Sequence, residues 1–108
     1  MTSQPIDIRP YDLAIVRSIL RTELPPDTKV WVFGSRAKRA AKRSSDLDLA
    51  IDAGRKLSPG ELSALNSAFE ESDLPYKVDL VDWATTGEAF REVVQRDFLK
   101  ISDDGETQ

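Results

Sequence analysis

The sequence predicts a single α/β domain, a small sheet with helices packed on it, and three observations carry that expectation. Apolar residues switch between helical spacing and strand alternation along the chain, in the order α-β-(α)-β-α-β-α. A length of 108 residues suits one domain with one modest core. Apolar residues at 40% and charged residues at 31% are the proportions of a soluble globular protein.

Each element has its own signal. Between Pro10 and Leu24, the residues Leu13, Val16, Leu20 and Leu24 recur at helical spacing, and Pro25-Pro26 ends the helix. "KVWVF", 29–33, is β-branched and aromatic and reads as a buried strand. Gly34-Ser35 breaks it, and a short basic helix or loop follows. "DLDLAI", 46–51, alternates as a second strand. Ser58 and Glu61 around Pro59 form a capping box that opens a helix lined by Leu62, Leu65 and Phe69 and running to about Ser72. "KVDLV", 77–81, is a third strand. Thr85 and Glu88 suggest a second capping box, followed by an amphipathic helix through Phe90, Val93, Val94 and Phe98. An ordered core of about 10–101 is expected, with 102–108 as a polar tail and the whole of 1–108 as one domain. There is no repeat, linker or low-complexity tract.

Composition excludes several chemistries. The chain has no cysteine and no histidine, so a disulfide, a thiolate nucleophile, a Ser-His-Asp triad and a His-ligated zinc are all out of reach. Catalysis would rest on carboxylates, hydroxyls, Lys and Arg, which favours oxygen-ligated Mg²⁺ or Mn²⁺. No stretch has signal-peptide or membrane-span character, so a cytoplasmic location is the default expectation and no membrane partner is expected. The net charge of −4 conceals five cationic residues between positions 36 and 43. An acidic protein with one basic segment is a poor general nucleic-acid binder but can hold a small anion locally, so no direct nucleic-acid binding is expected.

The carboxylates are the sharpest signal. Residues i and i+2 of a strand share a face, roughly 6.5–7 Å apart. Asp46 and Asp48 therefore project together, with Leu47, Leu49 and Ile51 facing the core. Two such carboxylates repel unless a cation sits between them, and divalent ions fit the pair. Asp79 lies between Val78 and Leu80 and points away from their apolar face, where it can join the pair as a third ligand. The plain alternative is that all three are solvent-side residues of a half-exposed sheet. Gly34 permits close backbone approach to a phosphate, and Ser35 adds a hydroxyl and an N–H.

Gly34-Ser35, ten residues, then Asp46-Leu47-Asp48, with Asp79 in a later strand, resembles the nucleotidyltransferase superfamily typified by DNA polymerase β. "VFGSRAKRAAKRSSDLDLAID" followed by "YKVDLVDW" looks like the minimal nucleotidyltransferases of prokaryotic toxin–antitoxin pairs, whose partners are helical ribonuclease toxins of the HEPN class. The resemblance covers about residues 10 to 101. One departure is Arg39, where such proteins often carry a glycine. The resemblance implies a polymerase β-like fold with a small mixed sheet. It also implies that Gly34 and Ser35 contact the triphosphate of ATP and that Asp46, Asp48 and Asp79 bind the metal. Asp79 would also help activate the attacking hydroxyl. The implied activity is transfer of AMP to a tyrosine of the cognate toxin, within a hetero-oligomer. Three rivals stand beside it: an antitoxin acting by binding alone, a transferase for a small molecule such as an aminoglycoside, and a module that binds nucleotide or RNA for sensing. The second usually carries a further substrate-binding domain, for which this length leaves no room, and the acidic composition makes the third less attractive for RNA.

The basic run admits two readings. Arg36, Arg39 and Arg43 fall on one helical face with Lys38 and Lys42 beside it, as a solvated face would. Alternatively Arg36 reaches the phosphates while the others attract nucleotide or an acidic partner. Trp31 is assigned to the core, and Trp83 to either core or partner surface. Asp52 shares the parity of Asp46 and Asp48 but is carried away by strand twist, and Asp82 is expected at the surface.

Overall fold

The protein is described from a computed structural model, over residues 8–37, 45–96 and 98–101. Helix α1 spans Pro10–Glu23, with Pro10 at its first position and Leu24 as its C-cap, the Leu24 N–H donating to Leu20 O at 3.0 Å. Proline suits that opening position because its missing N–H has no intrahelical partner to lose. Strands β1 (Lys29–Phe33) and β2 (Leu47–Asp52) follow, then α2 (Pro59–Glu70), β3 (Val78–Asp82), α3 (Glu88–Gln95) and β4 (Leu99–Ile101). One-turn 3₁₀ segments lie directly after β1 (Gly34–Arg36) and β3 (Trp83–Thr85).

Among the described residues the strands form one mixed sheet in the order β3-β2-β1-β4, with β1 antiparallel to both β2 and β4 and β2 parallel to β3. A parallel pair needs a crossover, and α2 supplies it. The expected capping box is present. Ser58 Oγ accepts from the Glu61 N–H at 3.1 Å, and Glu61 Oε1 accepts from the Ser58 N–H at 2.8 Å. Arg55 clamps the same carboxylate through two bonds of 2.9 and 2.7 Å.

The core lies on one face of the sheet. Val30, Val32, Leu47, Leu49, Ile51 and Val78 point there and meet Leu13, Val16 and Leu20 of α1 and Leu65 and Phe69 of α2. Leu65 is fully enclosed, and truncating such a side chain to alanine costs about 2–5 kcal/mol. The opposite face carries Trp31, Phe33, Asp48, Ala50 and Asp79, as period two requires. Part of it is roofed by aromatics: Trp31 lies 5.5 Å from Trp83 and 5.2 Å from Phe98, and Phe33 meets Phe90 of α3 edge-on at 5.8 Å. Trp31 is thus half-buried on this second face rather than in the main core, and Trp83 packs on it while the Arg91 guanidinium lies 5.0 Å over its own ring.

Four expectations are corrected. The last helix ends at Gln95, and Phe98 precedes a strand instead of extending the helix. Thr85 does not cap α3. Its hydroxyl and that of Thr86 donate to Asp82 O at 3.1 and 2.8 Å, and the cap falls to Gly87 without a side-chain bond. Helix α2 stops at Glu70, two residues short of Ser72, whose hydroxyl donates to Phe69 O at 2.6 Å. Asp82 is buried rather than at the surface. It pairs with Ile51 on the core side, where its carboxylate accepts from the Leu57 N–H at 2.9 Å and the Ala84 N–H at 3.2 Å. The basic run from Lys38 through Arg39, Lys42 and Arg43, and the tail 102–108, lie outside the described residues.

Candidate active site

Strand β1 delivers the chain to Gly34, whose φ of +77° is a conformation that side chains resist. Space imposes a second demand there. A Cβ on Gly34 would run into the Asp48 carboxylate, with the Asp48 Cγ only 3.3 Å away. Both demands follow from the register, which sets Phe33 opposite Asp48. The turn is closed by the Ala37 N–H donating to Gly34 O at 3.1 Å, and it presents Ser35, half-buried, beside the carboxylates.

Asp46 and Asp48 flank the start of β2, and Leu47 between them is wholly buried in the core. The Leu47 N–H donates to Lys77 O at 2.9 Å, which locks the entry of β2 to that of β3. That lock sets Asp48 directly beside Asp79 in the parallel register. Neighbouring strands lie about 4.8 Å apart, so the two carboxylates share one patch of the open face. Asp46 is exposed at its margin, and Lys77 Nζ lies 3.9 Å from Asp79 Oδ1. The Asp48 carboxyl is pushed above the usual carboxylate range, first by burial, then by the charges of Asp79 and Asp46. The patch is a negative field that a cation would relieve.

Hard carboxylate oxygens fit Mg²⁺ or Mn²⁺. Among the described residues no three acidic side chains are drawn together into a finished metal cluster. The fit therefore rests on donor chemistry and on the field at Asp48, with Asp46 and Asp79 at its sides.

Arg36 and Asp52 have partners of their own. Arg36 is buried, 6% exposed, and its Nε and Nη2 donate to Ser45 O at 3.2 and 2.8 Å. Its guanidinium also lies 3.9 Å over the Tyr76 ring. The sequence suggested Arg36 as a phosphate ligand, and these are the contacts its guanidinium makes within the protein. Asp52 accepts from the Gly54 N–H at 2.9 Å and shapes a turn away from the carboxylates. Two residues escaped sequence reasoning. Asp12 is 1% exposed, and its carboxylate accepts from Arg9 and from the Tyr76 hydroxyl. A signal for Asp12 existed: it sits four residues before Val16, in line with the apolar stripe of α1. Tyr76 had none.

Comparisons with known proteins identify the family and the fold. The model of the polymerase beta nucleotidyltransferase family matches residues 12–104. The probable protein adenylyltransferase MntA of Haemophilus influenzae is 49% identical over 102 residues, covering 94% of this chain and 89% of the relative. A crystal structure of a toxin–antitoxin with AMP-PNP superposes with a TM-score of 0.71 at 25% identity, over 82% of this chain and 71% of that one. A structure of the tri-AMPylated Shewanella oneidensis HEPN toxin in complex with MNT antitoxin shares the fold, with a TM-score of 0.59 at 21% identity over 83% of this chain and 68% of that one. The family match spans every strand of the sheet and the whole Gly34–Asp79 constellation, and the chain belongs to the polymerase β nucleotidyltransferases.

Proposed function

We propose that the protein is an antitoxin that transfers AMP from ATP to a tyrosine hydroxyl of a cognate HEPN-type ribonuclease toxin. The observation that carries this reading is the contact between Gly34 and Asp48. It sets the turn suited to a triphosphate directly against the carboxylates suited to a metal. The relative named as a protein adenylyltransferase, the AMP-PNP complex and the AMPylated toxin supply the substrate class.

The residues divide the work. The Ser35 hydroxyl and N–H bind the triphosphate, with Gly34 clearing the approach. Asp46, Asp48 and Asp79 would hold Mg²⁺ or Mn²⁺, which when bound acidifies the acceptor hydroxyl and neutralises charge on the leaving pyrophosphate. Asp79 lies on the edge strand of the sheet and half-exposed, where an acceptor from another protein can reach it. It orients the tyrosine hydroxyl and takes its proton as the oxygen attacks the α-phosphorus. The bond from that phosphorus to the bridging oxygen breaks, and pyrophosphate leaves.

The test separates covalent marking from sequestration. Toxin is incubated with this protein, ATP and Mg²⁺, then repurified and weighed by mass spectrometry. Its mass should rise by one or more AMP units and it should stay inactive alone, because a phosphodiester outlasts the complex whereas a noncovalent inhibitor acts only while bound. Asp79→Asn should block the gain. Unmodified toxin that regains full activity on separation would overturn the transfer reading in favour of inhibition by binding.

A further inference from the structure

Three segments carry the proposed site: the Gly34–Arg36 turn, the start of β2 and the start of β3. Tyr76 touches or adjoins all of them. Its ring lies 3.9 Å from the Arg36 guanidinium carbon, and Arg36 follows Ser35 directly. Arg36 in turn grips Ser45 O with two N–H groups, and Ser45 precedes Asp46. The bond closes the nine-residue separation between the triphosphate turn and the first carboxylate. Lys77, next to Tyr76, accepts from the Leu47 N–H at 2.9 Å and leads into Asp79.

We propose that Tyr76, aimed by Asp12, is a positioning residue for nucleotide binding: its ring seats Arg36 on the Ser45 carbonyl, and that clasp sets Gly34-Ser35 against Asp46 and Asp48. The proposal rests on the transfer reading above. Two features distinguish Tyr76 from a residue that only fills space. Its hydroxyl donates at 3.2 Å to the Asp12 carboxylate, which is 1% exposed and otherwise held by Arg9 through two bonds of 3.1 Å. Its ring packs against the edge of the core and also carries a buried cation, a contact strengthened by desolvation. Burial and the Asp12 charge push the phenol up to about 12, so it remains a donor at any physiological pH. A planar guanidinium is suited to both contacts at once, since it stacks on one face and donates in its plane.

Hydrogen exchange in the free protein and binding of AMP-PNP with Mg²⁺ test the clasp, with Mn²⁺ alone as the control ligand. Tyr76→Leu should speed exchange of the 35–37 amides and weaken AMP-PNP by about thirtyfold, the worth of a desolvated cation–π contact. Mn²⁺ affinity should stay within about twofold, because the carboxylates keep their strands. Tyr76→Phe keeps the ring and should hold AMP-PNP within about threefold. Arg36→Lys keeps the charge without the fork and should resemble Tyr76→Leu, so the clasp remains testable if the leucine variant does not fold. The inference is overturned if Tyr76→Leu and Arg36→Lys exchange and bind as wild type does. It is equally overturned if AMP-PNP and Mn²⁺ weaken together in step with a falling melting temperature. Wild-type protein that binds no AMP-PNP overturns the transfer reading instead, and the exchange comparison then decides the clasp by itself.

Discussion

Gly34 and Gly54 offer a matched pair of perturbations. Their φ angles are +77° and +78°, so an alanine at either position meets the same backbone resistance. A left-handed conformation costs a non-glycine residue roughly 1–2 kcal/mol. For a domain of this size, 1 kcal/mol moves the melting temperature by about 4–8 °C, so the backbone cost alone should lower it by roughly 5–15 °C in each variant. The two sites differ in space. A Cβ at Gly54 meets nothing within 4 Å, whereas at Gly34 it collides with the Asp48 carboxylate. Relief there requires the turn or Asp48 to shift, and a displacement near 1 Å at a reacting centre costs on the order of 100-fold in rate. AMP transfer should therefore fall about 100-fold in Gly34→Ala and stay within about twofold in Gly54→Ala, assayed well below both melting temperatures. Equal activities in the two variants, whether both retained or both lost, would refute the claim that the Gly34–Asp48 contact matters to the site.

Asp48→Asn should abolish transfer while stability without metal holds or rises at pH 7. A carboxyl raised in the folded state disfavours folding once pH climbs through its folded pKa, so the gain should vanish below the unfolded value near pH 4, as melting curves across pH would show. Calorimetry should find ATP binding far tighter with Mg²⁺ than with EDTA, since the bare carboxylates repel the triphosphate; equal affinities would remove the metal from the site. Glu61 is held down to about 2, chiefly by Arg55 and then by the Ser58 N–H. A depressed carboxylate stabilises fully above its unfolded pKa and loses that contribution as pH falls through its folded one. The stability gap between wild type and Glu61→Gln should therefore be constant above about pH 4.5 and close towards pH 2; a gap that persists at pH 2 would contradict the assignment.

Strand parity was readable because it is local. "DLDLAI" shows the core which residues to take, and Leu47, Leu49 and Ile51 are buried accordingly. The Ser58–Glu61 box was legible for the same reason. Parity alone does not say which face is wet, and Asp82 shows the consequence. It lies opposite Asp79 as expected, yet that side is the covered one, and two backbone N–H groups make its burial tolerable. Strand β4 has three residues, too few to display a period, and Phe98 falls four after Val94 by coincidence with helical spacing. Thr85 had the right partner for a cap in Glu88, but the Asp82 carbonyl claimed its hydroxyl. The Asp12–Tyr76 bond joins residues 64 apart, and nothing local announces it.

The side-by-side placement of Asp48 and Asp79 comes from register, not from their distance along the chain. A backbone bond from the Leu47 N–H to Lys77 O holds that register at one end of the parallel pair, and at the other the Asp82 carboxylate fastens the end of β3 to the Leu57 N–H just before α2. Between those ties, the loops on either side of α2 can lengthen or shorten at little cost to the site, since closing a loop of twice the length costs only about 0.6 kcal/mol. A single residue inserted within β3 is another matter, because it would turn Asp79 into the core and Val78 or Leu80 out to the substrate. Homologues are therefore expected to vary freely in the count of residues between the aspartate pair and the third acid. A search that fixes that count will miss them, and one that asks for an acid at the right parity of a strand after the next helix will not.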